Sequence, residues 1–105
     1  MALIGVHIAF GYALDTARDN GGAFLRADTV NSQTIAAPGV STISAPQNRG
    51  KDSPVLSVVS ADAIFYAIGP NPDASAGSAA RDYLKANDPI DRYVKPGDKF
   101  AWIAA

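Results

Sequence analysis

Residues 54–72 read PVLSVVSADAIFYAIGPNP and contain the longest apolar run of the chain. Val55, Val58, Val59, Ile64, Phe65, Tyr66 and Ile68 are β-branched or aromatic, the side chains that suit a pleated, half-buried surface. Pro54 opens the run, and Gly69-Pro70 with Pro72 closes it. Proline removes a backbone donor and breaks helices, so two strands interrupted near Ser60-Ala61-Asp62 account for the run better than one helix.

Toward the C-terminus, residues 73–89 (DASAGSAARDYLKANDP) are rich in Ala and Ser. Ala79, Ala80, Tyr83 and Leu84 are spaced for at most one short helix near 78–86, with Ser78 as N-cap and Asn87 and Pro89 ending it. The alternative is an ordered loop crossing one end of a sandwich, favoured by Gly77, since an isolated Gly costs roughly 1 kcal/mol against Ala in a helix. Ile90–Lys95 reads as a strand, Lys95-Pro96-Gly97-Asp98 as a type II turn, and Lys99–Ile103 as a last strand with Phe100, Trp102 and Ala104 on one face. The expectation is a closing hairpin.

Toward the N-terminus, residues 45–54 (APQNRGKDSP) are the most hydrophilic stretch and read as an exposed, mobile loop. Thr34, Ile35, Val40, Thr42 and Ile43 suggest two short strands about a turn at Pro38-Gly39. Residues 15–22 are polar, with a turn signal at Asn20-Gly21, room for a short helix over 13–19, and Phe24 and Leu25 as anchors. Leu3–Phe10 reads as a first strand, with Ile4, Val6, Ile8 and Phe10 on one face and Leu3, Gly5, His7 and Ala9 on the other. This apolar start lacks a basic n-region and is far shorter than a membrane-spanning helix, so neither a signal peptide nor a membrane partner is expected.

Six or seven short strands with Pro/Gly turns give an all-β class: a compact β-sandwich or jelly-roll-like barrel of antiparallel strands, one domain over 1–105. Both ends are apolar strands, expected to pair within the sheets. A chain of 105 residues buries enough surface to fold without staples, and with no cysteine it has none. Nine basic residues against ten acidic ones, for a net charge of -1, remove the electrostatic footprint of a nucleic-acid binder.

No constellation in the sequence meets the roles of a catalytic site, and the chain is expected to be non-enzymatic, without cofactor or metal. His7 is the only histidine and lies in an apolar strand, where a paired or edge-exposed structural histidine is the better reading than a general base. The serines lack a G-x-S-x-G elbow, and the carboxylates, all Asp, lack a calcium-loop pattern with its closing Glu. Gly69-Pro70-Asn71-Pro72 and Gly21-Gly22 are turns and not phosphate loops, since neither leads into G-K-[ST].

In its second half the chain resembles small structural proteins of tailed bacteriophages and prophages. The resemblance is carried by a strand ending in AIGPNPDAS (67–75), a variable Ala/Ser-rich stretch, and the closing IDRYVKPGDKFAWIAA (90–105). It implies a virion component assembled in the host cytoplasm: a capsid decoration or cementing protein, or a head-tail or fibre-base accessory. The implied partner is the major capsid protein or another virion protein, with homotrimers at a capsid symmetry position compatible. It implies no catalytic residues.

Candidate contact elements are loops 45–54 and 73–89 and strand edges. Arg49, Lys51, Arg81, Tyr83, Asp91, Arg92 and Tyr93 are the candidate interface residues, because exposed Tyr and Arg are enriched at interface centres. The alternative function is a carbohydrate-binding module for host attachment, with Tyr83 and Tyr93 as a flat platform beside Asp91.

Overall fold

The computed structural model describes residues 3–13 and 26–105. The turn expected at Asn20-Gly21, the helix over 13–19 and the anchors Phe24 and Leu25 fall outside them.

Eight strands form among the described residues: β1 (Val6–Ala13), β2 (Arg26–Ile35), β3 (Gly39–Val40), β4 (Val55–Ser60), β5 (Ile64–Gly69), β6 (Asp82–Leu84), β7 (Ile90–Tyr93) and β8 (Lys99–Ala104). They build two four-stranded sheets, β2-β1-β4-β7 and β3-β8-β5-β6. Every pairing is antiparallel. The run at 54–72 is two strands as expected, but β4 lies in the first sheet and β5 in the second. The bend at Ser60–Ala63 is therefore an arch across the sandwich.

The pairings have a simple logic. β5 pairs with β6, β4 with β7 and β3 with β8, a nested set of partners about the tip of one long ribbon. The last rung, β2 with β1, completes the set if β1 is placed after β8. Rolling this ribbon on itself creates the remaining contacts, β1 with β4 and β5 with β8. Such a rolled ribbon of eight strands is a jelly roll. Here the strand that closes it comes from the front of the chain.

The segment before β1 and the residue after β8 meet on one arch. Ala61 N–H donates to the Gly5 carbonyl at 3.0 Å, and Ala105 N–H donates to the Ala63 carbonyl at 3.1 Å. Ser60, almost fully buried, steadies the bend by donating its hydroxyl to the Asp62 carbonyl and accepting the Asn87 N–H at its own carbonyl. Asn87 adopts φ 59°, a left-handed conformation that Asn tolerates.

Between the sheets the inward residues alternate as a period of two requires: Val6, Ile8 and Phe10 from β1, Leu56 and Val58 from β4, Ile64 and Tyr66 from β5, Phe100 and Trp102 from β8. Each large apolar side chain buried here contributes about 1.5–3 kcal/mol. Tyr66 stacks on Phe100 with ring centroids 5.6 Å apart. A second, small cluster of Ala67, Ala74 and Ala101 lies on the outer face of the second sheet, where the segment after Pro72 covers it.

Several expectations are corrected. There is no helix near 78–86: β6 occupies Asp82–Leu84 and pairs with β5, and Leu84 is buried. A segment this short cannot meet the cost of helix nucleation, whereas a ladder and a buried Leu are available. Ser78 makes a local turn instead, accepting the Ala80 N–H.

The closing hairpin is also not formed. Gly97 does sit at φ 85° and Asp98 N–H does bond to the Lys95 carbonyl, as the turn requires. However, β7 belongs to the first sheet and β8 to the second. Likewise Pro38-Gly39 is a crossing between sheets. Ile4 is 71% exposed, because Gly5 at φ 79° breaks the alternation before β1 begins. Ala104, expected beside Phe100 and Trp102, is exposed.

Loop 45–54 is anchored at several points. Ala45 is buried and exchanges hydrogen bonds with Asp98 and Gly97, Pro54 is buried, and Tyr12 donates its hydroxyl to the Gln47 carbonyl. At its tip Arg49 and Asp52 exchange both backbone hydrogen bonds around Gly50-Lys51. Gly50, at φ 61°, supplies the positive φ that a two-residue type II′ connection needs at its first central position.

Candidate functional site

The antiparallel register sorts the connections between the two ends of the sandwich. At one end lie the Ser60–Ala63 arch, the crossing after Ile35, residues 85–89 and the two chain ends. At the other end lie the longer connections 41–54 and 70–81, together with the 94–98 turn. The expected contact element 73–89 is thus divided between opposite ends by β6.

The loop end carries Arg49 and Lys51. Arg49 stacks 4.1 Å over the Tyr12 ring and pairs with Asp28 at 2.9 Å, so its guanidinium braces the 45–54 loop against β2. Lys51 is exposed at the tip of the turn. In the neighbouring 70–81 connection, the Ser75 N–H donates to the Asp73 carboxylate at 2.9 Å. That bond, reinforced by the Ser75 hydroxyl, holds the Asp73 carboxyl below its ordinary range.

On the outer face of the second sheet, Arg81 stacks 3.8 Å over Phe65, and Tyr83 meets the same ring edge-on at 5.6 Å. Tyr83 is 54% exposed. Arg92, half-exposed, bridges the two sheets at their edges, 3.2 Å from Asp82 across the adjoining edges of β7 and β6 and 5.7 Å above the Tyr66 ring.

The outer face of the first sheet contains a shallow groove of about 140 Å³ lined by His7, Ala9, Ser57, Val58, Val59, Pro89, Ile90 and Asp91. Strand register builds it. Ala9 of β1 faces Ser57 of β4, and Ser57 faces Asp91 of β7, so two small side chains floor the centre of the sheet. On the next rung His7 faces Thr34 on one side and Val59 on the other. The Ser57 hydroxyl donates to the Asp91 carboxylate, and His7 Nδ1 lies 2.8 Å from Thr34 Oγ1. Tyr93 follows Asp91 on the same face of β7 and is 45% exposed.

The seven residues expected at one interface therefore occupy separate surfaces. Arg49 and Lys51 are at the loop end, Arg81 and Tyr83 on the outer face of one sheet, Asp91 and Tyr93 on the outer face of the other, and Arg92 bridges the edges. Tyr83 and Tyr93 point away from each other on opposite sheets, which removes the flat platform they were expected to form. Asp91 and Tyr93 do share a face, and the structure adds His7 and Ser57 to them. His7 is paired, as expected of a structural histidine, but on an inner strand. Its position on the outward parity of β1 was legible; its proximity to Ser57 and Asp91 depends on β4 joining β1 and β7, which no local pattern encodes.

No family model, curated protein or solved structure matches this chain.

Proposed function

We propose that this chain is a non-enzymatic structural protein of a phage-type virion, a capsid decoration or cementing protein that docks on the major capsid protein or another virion protein through the loop end of its sandwich. The observation that carries this reading is the segregation of connections. The longer ones, with the Gly50-Lys51 hairpin at the tip of one of them, gather at the end opposite the two chain ends. Loops held on a rigid sheet scaffold are where binding residues concentrate. Jelly rolls serve capsid and lectin domains among others, an analogy of fold only. The resemblance of the second half of the chain, from Val55 onward, to phage structural proteins points the same way.

Quantitative mass spectrometry of purified particles from the source tests this directly. A copy number near that of the major shell protein is expected. A few copies per particle would move the chain to the neck, tail or fibre base, and its absence from particles would overturn the reading. Re-binding of the isolated chain to stripped particles should weaken with Lys51→Glu and not with Tyr83→Ala. Equal loss in both variants would remove the loop end from the contact.

A further inference from the structure

We infer that the outer edge of β2 pairs antiparallel with β2 of a second copy of this chain, about a two-fold axis at Gln33. The inference stands on the strand edge alone and is independent of the virion reading.

The ladders fix where the backbone groups of β2 point. In an antiparallel pair, a residue that exchanges hydrogen bonds with one neighbour turns its N–H and C=O to that side, and the next residue turns them to the other. The Gly5 carbonyl accepts the Ala61 N–H, and the Pro54 carbonyl accepts the Val94 N–H. Both bonds require the odd-numbered residues of β1 to face β4, so Val6, Ile8 and Phe10 face β2, where they pair with Ile35, Gln33 and Asn31. Ser32 and Thr34, which lie between these partners, therefore turn their backbone groups to the open edge of the sheet. Among the described residues nothing bonds to those groups, and the Thr34 bond to His7 is made by its side chain.

The edge lacks the devices that keep edges apart. Short strands, charges, Pro and bulges are the usual guards. β3 and β6 are two and three residues long, and β7 is four residues long and carries Asp91 and Arg92. β2 is ten residues long, and its half from Asn31 to Ile35 is free of bulges. No charged residue occurs anywhere from 29 to 48.

The same stretch selects its own copy. With Gln33 on the axis, Ser32 of each chain lies opposite Thr34 of the other, so both outward-turned residues exchange their backbone bonds in one isologous contact. Val30, 52% exposed, then lies beside the exposed Ala36 of the second copy, which covers apolar surface. The two Asp28 carboxylates stand at opposite ends of the paired segment, so no like charges meet. A foreign strand finds no charge here by which to be recognised, whereas this register is complementary to itself.

Sedimentation velocity of the intact chain from about 10 µM to 1 mM tests this, since a contact well below standard interface size is expected to dissociate at roughly 100 µM. A monomer–dimer equilibrium is expected, with β2 an open edge in dilute solution. Ser32→Lys, which brings like charges into the contact, should weaken dimerisation at least about tenfold with circular dichroism unchanged, and Tyr83→Ala should leave it as in the parent. Because the chain has no cysteine, single cysteines report the register. Under mild oxidation, Ser32→Cys chains mixed with Thr34→Cys chains should cross-link to each other faster than either does to itself, since opposed residues lie about 5.5 Å apart and diagonal ones about 7–8 Å. Should Ser32→Lys disturb the fold, this cross-linking carries the test. The inference is overturned if the chain stays monomeric throughout, if Ser32→Lys dimerises as the parent does, or if like chains cross-link fastest. A dimer abolished by Tyr83→Ala would also overturn it, assigning the contact to the second sheet.

Discussion

At Gly5 and Gly97 the same residue type meets two different demands. Both lie at positive φ, but a Cβ on Gly5 would be 2.3 Å from the Ile35 carbonyl oxygen and 2.6 Å from Ala36 Cα, whereas at Gly97 it would meet nothing within 4 Å. Gly97→Ala should cost about 1 kcal/mol, the penalty of the conformation alone, and Gly5→Ala at least ~2–3 kcal/mol because backbone must move aside. Urea denaturation reads both, and equal costs would refute the close approach of the chain at Gly5. Trp102 is 6% exposed within the main core. Trp102→Ala should cost ~3–5 kcal/mol. Its Nε1–H is buried without a partner among the described residues, so Trp102→Phe, which deletes that donor, should cost less than half as much. Tyr66 is the residue through which stability should depend on alkaline pH. Burial raises its pKa above the ordinary 10.0, with Arg92 opposing and Asp82 assisting. Since the folded state holds this proton more tightly, its contribution is complete below about pH 10 and is lost as pH rises toward the higher folded value. Denaturant midpoints should fall across that range, and Tyr66→Phe should fall less steeply than the parent. A parallel decline in both would place the alkaline sensitivity elsewhere.

At the scale of elements, most strands were legible as strands, though β1 begins later than expected and β6 was missed, and the sheets were not. Alternation of buried residues identified β1, β4, β5 and β8, because a period of two is a local property. Which sheet a strand joins depends on its partner, and a Pro-Gly turn such as 95–98 serves an arch between sheets as well as a hairpin. That is why the closing hairpin was expected and does not form. The short β6 escaped for a related reason: an Ala-rich flank mimics a helix, and only pairing with Phe65 and its neighbours makes Asp82–Leu84 extended. The groove was half legible, since the outward parity of His7 and the Asp91–Tyr93 pair follow from β patterning, while their meeting across three strands does not. Inner and edge strands should differ measurably. β1 and β8 are each flanked on both sides, whereas β2 and β6 are edges. Native-state hydrogen exchange should therefore be slowest at the amides of Ile8, Phe10, Phe100 and Trp102 and markedly faster along β2 and β6. Protection of β2 equal to that of β1 would indicate that its outer edge is covered in solution.

For the molecule as a whole, the nested pairing means that nearly every ladder joins segments distant in sequence. Val6 pairs with Ser60, Ile64 with Ala104. Folding should accordingly occur in the millisecond-to-second range expected of all-β domains rich in non-local contacts. The ribbon description also states where the chain is topologically open: between residue 105 and residue 3, both beside the Ser60–Ala63 arch. Joining these through a short flexible linker and cutting instead at Gly50-Lys51 should give a permuted chain with the parent's circular dichroism and a cooperative unfolding transition. Failure of that chain to fold would mean that the order of strands, and not only their arrangement, is required.

The meeting of both ends on one arch has a mechanical consequence. A force pulling the ends apart does not load the ladders in parallel as a shear. It acts across them, first on the single Ala61–Gly5 and Ala105–Ala63 hydrogen bonds, then on the rungs of β1 and β8 one after another. A molecule stable to heat through its core would thus open at low tension when stretched by its ends, like a zip drawn from its slider.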